Sequence, residues 1–436
     1  MVEFTDEFVD KIALECIQSF NKIPKIGRPG AGEWTILSCI VQLDTTTQRY
    51  EVVSIGTGSK CIGASKMSPE GIKVNDCHAE VIARRGLMLY IYENIEKAIT
   101  STSPQESIFV KENGRFKLRD NIEFIFYSSQ MPCGDASIIP KSNENEFGKI
   151  VTSRKRDAED ENNEMESKKL KIDEDDIHRT GAKCLPQNEQ DPKEPGAKYH
   201  LLGQVRTKPG LGDRTLSVSC SDKIARWIHV GIQGALLDML LAEPLYIKHF
   251  IFGGGVPFSK ESLARAFLHR NREEQITVPV TPYIYQTSTI FHIMKCEQRP
   301  QPSPGSILIV NFGVIEVVVH GKRLGVTKKM ERTRKIALCI SKYYMYRRFL
   351  HILQNDPSLR EKIADGELES IPYNVMKKKS QRYYENWYKV RDNFFKSWTV
   401  KPDMFSFCIT TKELATNAVD IKKRRHWLEH VKALLV

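Results

Sequence analysis

From Trp34 to Ser129 the chain alternates two kinds of apolar run, and this alternation restricts the folds open to it. "WTILSCIVQL" and "YEVVSIGTG" flank the polar turn "DTTTQR" and read as a strand pair. The run from "CHAEV" to "IEKAI" is too long for a strand and predicts a helix over residues 77–99, with "EFIFYSS" (123–129) as a buried strand after it. A helix over residues 5–22 precedes them, its Phe8, Ile12, Cys16, Ile17 and Phe20 at helical spacing. Strands interleaved with helices predict an α/β layer. Further helices are expected over 221–241, 259–269, 330–350 and 377–397, and "SILIVNFGVIEVVVHG" reads as strand.

Residues 141–198 interrupt this pattern. They are rich in Asn, Glu, Asp, Lys and Pro, with ten acidic against six basic residues from 154 to 176, and such a composition buries too little to order itself. The expectation is one domain over residues 1–436 with a mostly disordered insertion at about 141–198. Inside it "RKR" (154–156) and "KKLK" (168–171) are spaced like a two-part nuclear import signal, and equally like a charge-mixed linker.

No run of eighteen apolar residues appears, and the N-terminus opens with Glu3, Asp6 and Glu7, so a soluble protein with no membrane partner is expected, nuclear and/or cytoplasmic. Ten cysteines without a paired framework favour buried thiols and a metal site over disulfides. Net charge is +11, and the segment from Gly321 onward holds 26 Lys and Arg against 12 Asp and Glu. A surplus this local points to a polyanion, either nucleic acid or a phosphate-rich ligand, or else to a solvated basic face. "KKRRHW" (422–427) is a candidate phosphate contact.

"NDCHAEVIARRG" (75–86) places His78 two residues before Glu80 at a helix start. A catalytic zinc keeps three protein ligands and one open position, so His78 needs two partners. The pattern of nucleic-acid deaminases is His-x-Glu followed by Pro-Cys-x-x-Cys. Here Pro132 and Cys133 follow a strand, but Ala136 stands where the second cysteine belongs. Cys220 in "SVSCSDKIARW" begins a helix, whose N-terminus stabilises a thiolate, and it is the best third ligand. Each cysteine taken alone is more often a core residue; the combination is much rarer.

"NDCHAE", "PCGDASI", "RTGAKCLP", "RTKPGLGDRT", "SCSDKIARW" and "GIQGALL" together resemble the adenosine deaminases of RNA, most closely the branch acting on alanine tRNA. The likeness covers nearly all of the chain outside 141–198. It implies a cytidine-deaminase-like α/β/α core of three layers with a mixed sheet, enlarged by C-terminal helices and strands. It implies zinc on His78, Cys133 and Cys220, with Glu80 moving protons while the adenosine 3′ of the anticodon becomes inosine. Thr57, Gly58 and Ser59 would face the nucleotide, and Lys208 would reach the zinc shell through Asp76. No obligate protein partner is implied.

Arg84, Arg85, Lys223 and Arg226 sit in apolar helices near the same site, where unpaired charge is costly. RNA phosphate is one possible anion; the family encloses inositol hexakisphosphate. Carried over by position, its ligands would be those four with Lys60, Asn75 and Lys342, and then Tyr373, Lys377, Tyr383, Trp398 and Lys401. From Tyr373 onward the register is open, since "KKKSQRYY" also offers Lys378 and Tyr384. Two other functions stay in view: an editor of double-stranded RNA, and a non-catalytic RNA-binding protein with a structural zinc.

Overall fold

Eight strands form one mixed sheet whose central members are apolar on both faces. They are β1 (Leu37–Asp44), β2 (Tyr50–Thr57), β3 (Ile122–Ser128), β4 (His249–Phe252), β5 (Tyr283–Gln286), β6 (Gly305–Val310), β7 (Val314–Val319) and β8 (Lys322–Arg323). Their order across the sheet is β5-β4-β3-β1-β2-β6-β7-β8. β3, β4 and β5 run parallel to one another, and the other pairings are antiparallel. The computed structural model describes residues 2–23, 25–140, 177–210, 213–270, 277–311, 313–327, 329–330, 333–402 and 404–415.

The period of two along a strand decides which residues meet which layer. Leu37, Cys39, Val41 and Leu43 of β1, with Ile125 and Tyr127 of β3, pack under α1 (Asp6–Asn21), which buries Val9, Ile12, Cys16 and Phe20. The alternate residues Ile40, Phe124 and Phe126 turn to the other face and meet α2 (Ala79–Thr100) and α3 (Cys220–Val230). The result is the expected three-layer α/β/α core. α2 is buried almost all round because α6 (Lys342–Asn355), from the C-terminal part, covers its outer side. Among the described residues no helix is long and apolar enough to cross a membrane.

Three helix expectations are corrected. The run 221–241 is two helices, α3 and α4 (Ala235–Leu240), because the chain turns between Gly231 and Gly234, both at positive φ. α5 (Lys260–Phe267) is as expected. The run 330–350 becomes helical only at Lys342, where the Ser341 hydroxyl accepts from the Tyr344 N–H. Before that, the Cys339 N–H donates to Glu316 on β7, which keeps the segment out of a helix. A short helix α7 (Pro357–Ile363) follows. The run 377–397 divides into α8 (Tyr373–Lys378), α9 (Gln381–Val390) and a π-helical turn (Arg391–Phe395); at the break Ser380 donates to Asp238.

The expected insertion at 141–198 is corrected at its far end. Residues 141–176, with both basic clusters, and "KKRRHW" lie outside the described residues. Residues 177–198 pack on the core: Ile177–His178 pairs with Ile139–Pro140, and Lys183–Cys184 with Arg206–Thr207. Arg206 is fully buried and makes two 2.6 Å hydrogen bonds to Asp191. Burial opposes ionisation of Asp191, yet Arg206 holds its carboxyl well below the usual range. Composition alone hides this, since one acid of an apparently solvated stretch neutralises a core arginine.

Candidate metal centre and basic cavity

His78 ends a short strand (Asp76–His78) paired with Ser59–Cys61, and it is the N-cap of α2. Its N–H donates to Asp76 Oδ1 at 3.0 Å. Cys133 lies in the loop after β3, beside Gly134 at φ 106°, where a Cβ would lie 2.2 Å from Ser219 Oγ; only glycine lets this loop approach the start of α3. Cys220 is the first residue of α3, after the N-cap Ser219. Cys133 Sγ lies 3.9 Å and Cys220 Sγ 3.7 Å from His78 Nδ1, with all three atoms within 4.8 Å of one another. Tetrahedral zinc with ordinary Zn–N and Zn–S bonds separates its ligands by about 3.5–3.8 Å, so these residues fit it. Among the described residues no other such group of metal-binding side chains occurs.

The surroundings favour anionic sulfur. The Cys220 N–H donates to Cys133 Sγ at 3.4 Å, and Lys208 Nζ donates to Cys220 Sγ at 3.0 Å. The Cys220 thiol, burial-opposed but reinforced by Lys208 and His78, draws Cys133 well below the usual thiol range. Burial and that first thiolate push Cys220 well up, so full ionisation of the pair calls for a cation between them. Asp76 is buried and opposed by burial, yet Lys208 at 2.8 Å and Lys223 hold it well below the carboxylate range. Glu80, in the first turn of α2, is 1% exposed, and its Oε2 has no hydrogen-bond partner. Burial pushes its carboxyl up.

The three residues expected to face the nucleotide divide. Thr57 is buried, and its hydroxyl accepts from the Ile307 N–H at 2.8 Å. The Gly58 carbonyl accepts from Ala79 N–H at 2.9 Å, which fixes the start of α2. Ser59 is half-buried, directly opposite His78 in the ladder.

Behind the metal centre lies a cavity of about 260 Å³. Asn75, Arg84, Arg85, Lys223, Arg226, Lys342, Tyr373, Lys377, Tyr383, Trp398 and Lys401 all line it, whereas Lys60 is not on its wall. Of each adjacent pair, Lys377 and Tyr383 line this cavity, and Lys378 and Tyr384 do not. The Arg226 guanidinium lies 3.6 Å over the Trp387 ring, and Lys342 Nζ 4.3 Å over Phe405. Arg84 Nε, Arg226 Nε and both amide atoms of Asn75 are buried without a hydrogen-bond partner. Burial and the neighbouring cations lower Lys377 to about 7 and Lys401 to about 8, and push Lys342 well below its ordinary range. Cations this crowded and underpaired fit a bound polyanion.

Sequence reasoning missed the residues that hold the metal-bearing loops. Arg265 donates to Asp135 Oδ2 at 2.9 Å and to its carbonyl at 2.8 Å, which fixes the loop after Cys133. Asp222 caps the turn that carries Cys220. Only the Ser-x-x-Asp spacing of Ser219 and Asp222, a capping signature, was visible in the chain.

Residues 54–402 match the adenosine-deaminase (editase) domain family. The chain is similar to the tRNA-specific adenosine deaminase 1 of Drosophila melanogaster, 36% identical over 408 residues that span 90% of this chain and 95% of that protein. It is 30% identical to the tRNA-specific adenosine deaminase 1 of Homo sapiens, over 90% of this chain and 98% of that protein. Similarity to the double-stranded RNA-specific adenosine deaminase of Mus musculus is 32%, over 60% of this chain and 21% of that protein.

Proposed function

The chain belongs to the adenosine-deaminase (editase) domain family of hydrolytic deaminases, and from that membership we propose that it converts an adenosine of tRNA to inosine, with release of ammonia. The observation that carries this reading is the convergence of His78, Cys133 and Cys220 beside a buried carboxylate, Glu80, whose Oε2 has no hydrogen-bond partner among the described residues. The tRNA-specific relatives match along nearly their whole length, which favours tRNA over long duplex RNA.

His78, Cys133 and Cys220 would hold zinc, the metal that suits one imidazole and two thiolates with a fourth position open. When bound, zinc supplies a water activated for attack at neutral pH. Glu80 Oε2 accepts a proton from the attacking water and passes it to adenine N1, then takes the second proton from the hydroxyl added at C6 and delivers it to the departing amine, acting twice as base and then acid. Lys208 donates to the Cys220 sulfur and is itself fixed by Asp76.

The adenosine 3′ of the anticodon in alanine tRNA is our assignment of the target, since a loop base is easier to extrude than a stacked base pair. We assign the basic cavity to inositol hexakisphosphate, which when bound supplies the negative charge that its wall cations lack. Incubating the purified protein with alanine tRNA and with a perfect RNA duplex tests the function. Inosine 3′ of the anticodon is expected in the tRNA; inosine in the duplex alone overturns the tRNA assignment.

A further inference from the structure

Asp222 is a fully buried carboxylate two residues after the metal ligand Cys220. Its Oδ2 accepts from the Ser219 hydroxyl at 2.6 Å and from the Arg206 N–H at 3.0 Å, and its own N–H donates back to Ser219 Oγ at 3.2 Å. This reciprocal cap fixes the first turn of α3, where Cys220 must be presented. A fully buried carboxylate two residues from a metal-ligating thiol needs a cation of its own. Arg206, whose backbone touches Asp222, and Lys223, next to it in the chain, are both taken: the Arg206 guanidinium is held by Asp191, and Lys223 by Asp76.

The cation that faces Asp222 is Arg270, 2.5 Å from Oδ1, with its side chain 1% exposed. Its Nη1 and Nη2 make no hydrogen bond, so the contact is one of charge rather than of aligned donor and acceptor. Arg270 is fixed from behind: Nε donates to the Ala266 carbonyl at 3.0 Å, and the guanidinium lies 5.6 Å and 5.2 Å from the ring centres of Phe394 and Phe395. Both phenylalanines belong to the π-helical turn, whose extra residue turns them inward. Phe395 in turn packs on Trp398 of the cavity wall at 4.8 Å.

We propose that Arg270 is a positioning residue for the metal ligand Cys220, acting through Asp222 and held in place by the Phe394–Phe395 turn. It touches neither metal nor substrate. It joins three segments far apart in the chain and braces, against Asp222 Oδ1, the side chain that caps the metal-bearing turn.

The proposal rests on the zinc reading, so its test reads the metal as well as the reaction. Zinc per chain and the rate of zinc transfer to a chromogenic chelator are measured for the full-length parent, Arg270→Met, Arg270→Lys, and the double variant Asp222→Asn/Arg270→Met. Arg270→Met is expected to release zinc about tenfold faster or more, with a lower kcat and an unchanged KM for RNA. Arg270→Lys should stay within about threefold of the parent, and the double variant should return toward it, because an amide at position 222 caps the turn without a counter-charge. Parental zinc retention in Arg270→Met, or a double variant as leaky as the single one, overturns the proposal while leaving the zinc reading intact. A parent without zinc overturns both. If Arg270→Met is insoluble, Arg270→Lys and the double variant decide: a double variant that leaks faster than Arg270→Lys by about tenfold overturns the proposal.

Discussion

The ammonium of Lys208 lies 3.0 Å from the sulfur of Cys220, and both side chains are shut off from water. In such surroundings a single charge-assisted contact orients a metal ligand and keeps it anionic. Lys208→Met is therefore expected to lower zinc affinity or kcat by about 10–100-fold without unfolding the chain. Competition with a chelator checks it, and wild-type affinity in that variant would mean that the thiolate is stabilised elsewhere.

Glu80 and Cys220 should separate cleanly by what they lose. Glu80→Gln keeps the shape of the side chain and removes its basicity, so kcat should fall by about 10²–10⁴-fold while zinc stays near one per chain. Cys220→Ser should lose metal and activity together. Zinc analysis beside deamination assays distinguishes the two, and zinc loss from Glu80→Gln would place the carboxylate among the ligands.

Much of this site could be read in the chain because its chemistry is local. His78 and Glu80 are two residues apart at a helix start, Cys133 follows a strand, and Cys220 opens a helix, so secondary-structure pattern alone brought each to an element end. The strands of the sheet were legible for the same reason, since β-branched runs show their period directly. What pattern could not show was pairing across distance. Asp191 reads as one more solvated acid until Arg206 is seen beside it, and nothing near Arg270 in sequence announces Asp222. The helix ends at Ser341 and Ser380 were also hidden, because side chains remote in sequence or a cap decide them.

Removing Asp191 should be costly even though it lies in a stretch of linker-like composition. Asp191→Ala leaves the Arg206 guanidinium buried without its carboxylate, and breaking such a pair from one side costs about 3–5 kcal/mol. Denaturant unfolding measures it. A change under about 1 kcal/mol would show that water reaches Arg206.

The pH dependence of stability should report the basic cavity. Lys377 and Lys401 are lowered in the folded protein to about 7 and about 8, by burial and by neighbouring cations, while an unfolded lysine titrates at about 10.4. Between these values the unfolded chain binds more protons than the folded one, so the stability of anion-free protein rises with pH. The gain begins near pH 7 and is complete above about pH 10.4. Thermal melts from pH 6.5 to 9.5 test the sign. Added inositol hexakisphosphate should flatten the curve by stabilising the protonated lysines, and a falling curve would show that these lysines keep their protons without it.

The cavity occupant can be identified without any assay of the reaction. Arg84, Arg85, Lys223, Arg226, Lys342, Lys377 and Lys401 reach one space from five separate stretches of the chain, and buried charge without a counter-ion is strongly destabilising. The carboxylate Asp76 is also on that wall but already faces Lys208 and Lys223. On the inositol hexakisphosphate reading the anion enters during folding, and phosphate analysis of the denatured protein should recover an inositol polyphosphate at about one per chain. Lys342→Ala and Arg226→Ala should lower soluble yield and melting temperature together with the recovered phosphate. Lys60→Ala, outside the wall, should leave all three near parental values. Folded, active protein that yields no inositol polyphosphate would assign the cavity to another anion, and an equal loss from Lys60→Ala would place Lys60 among its ligands.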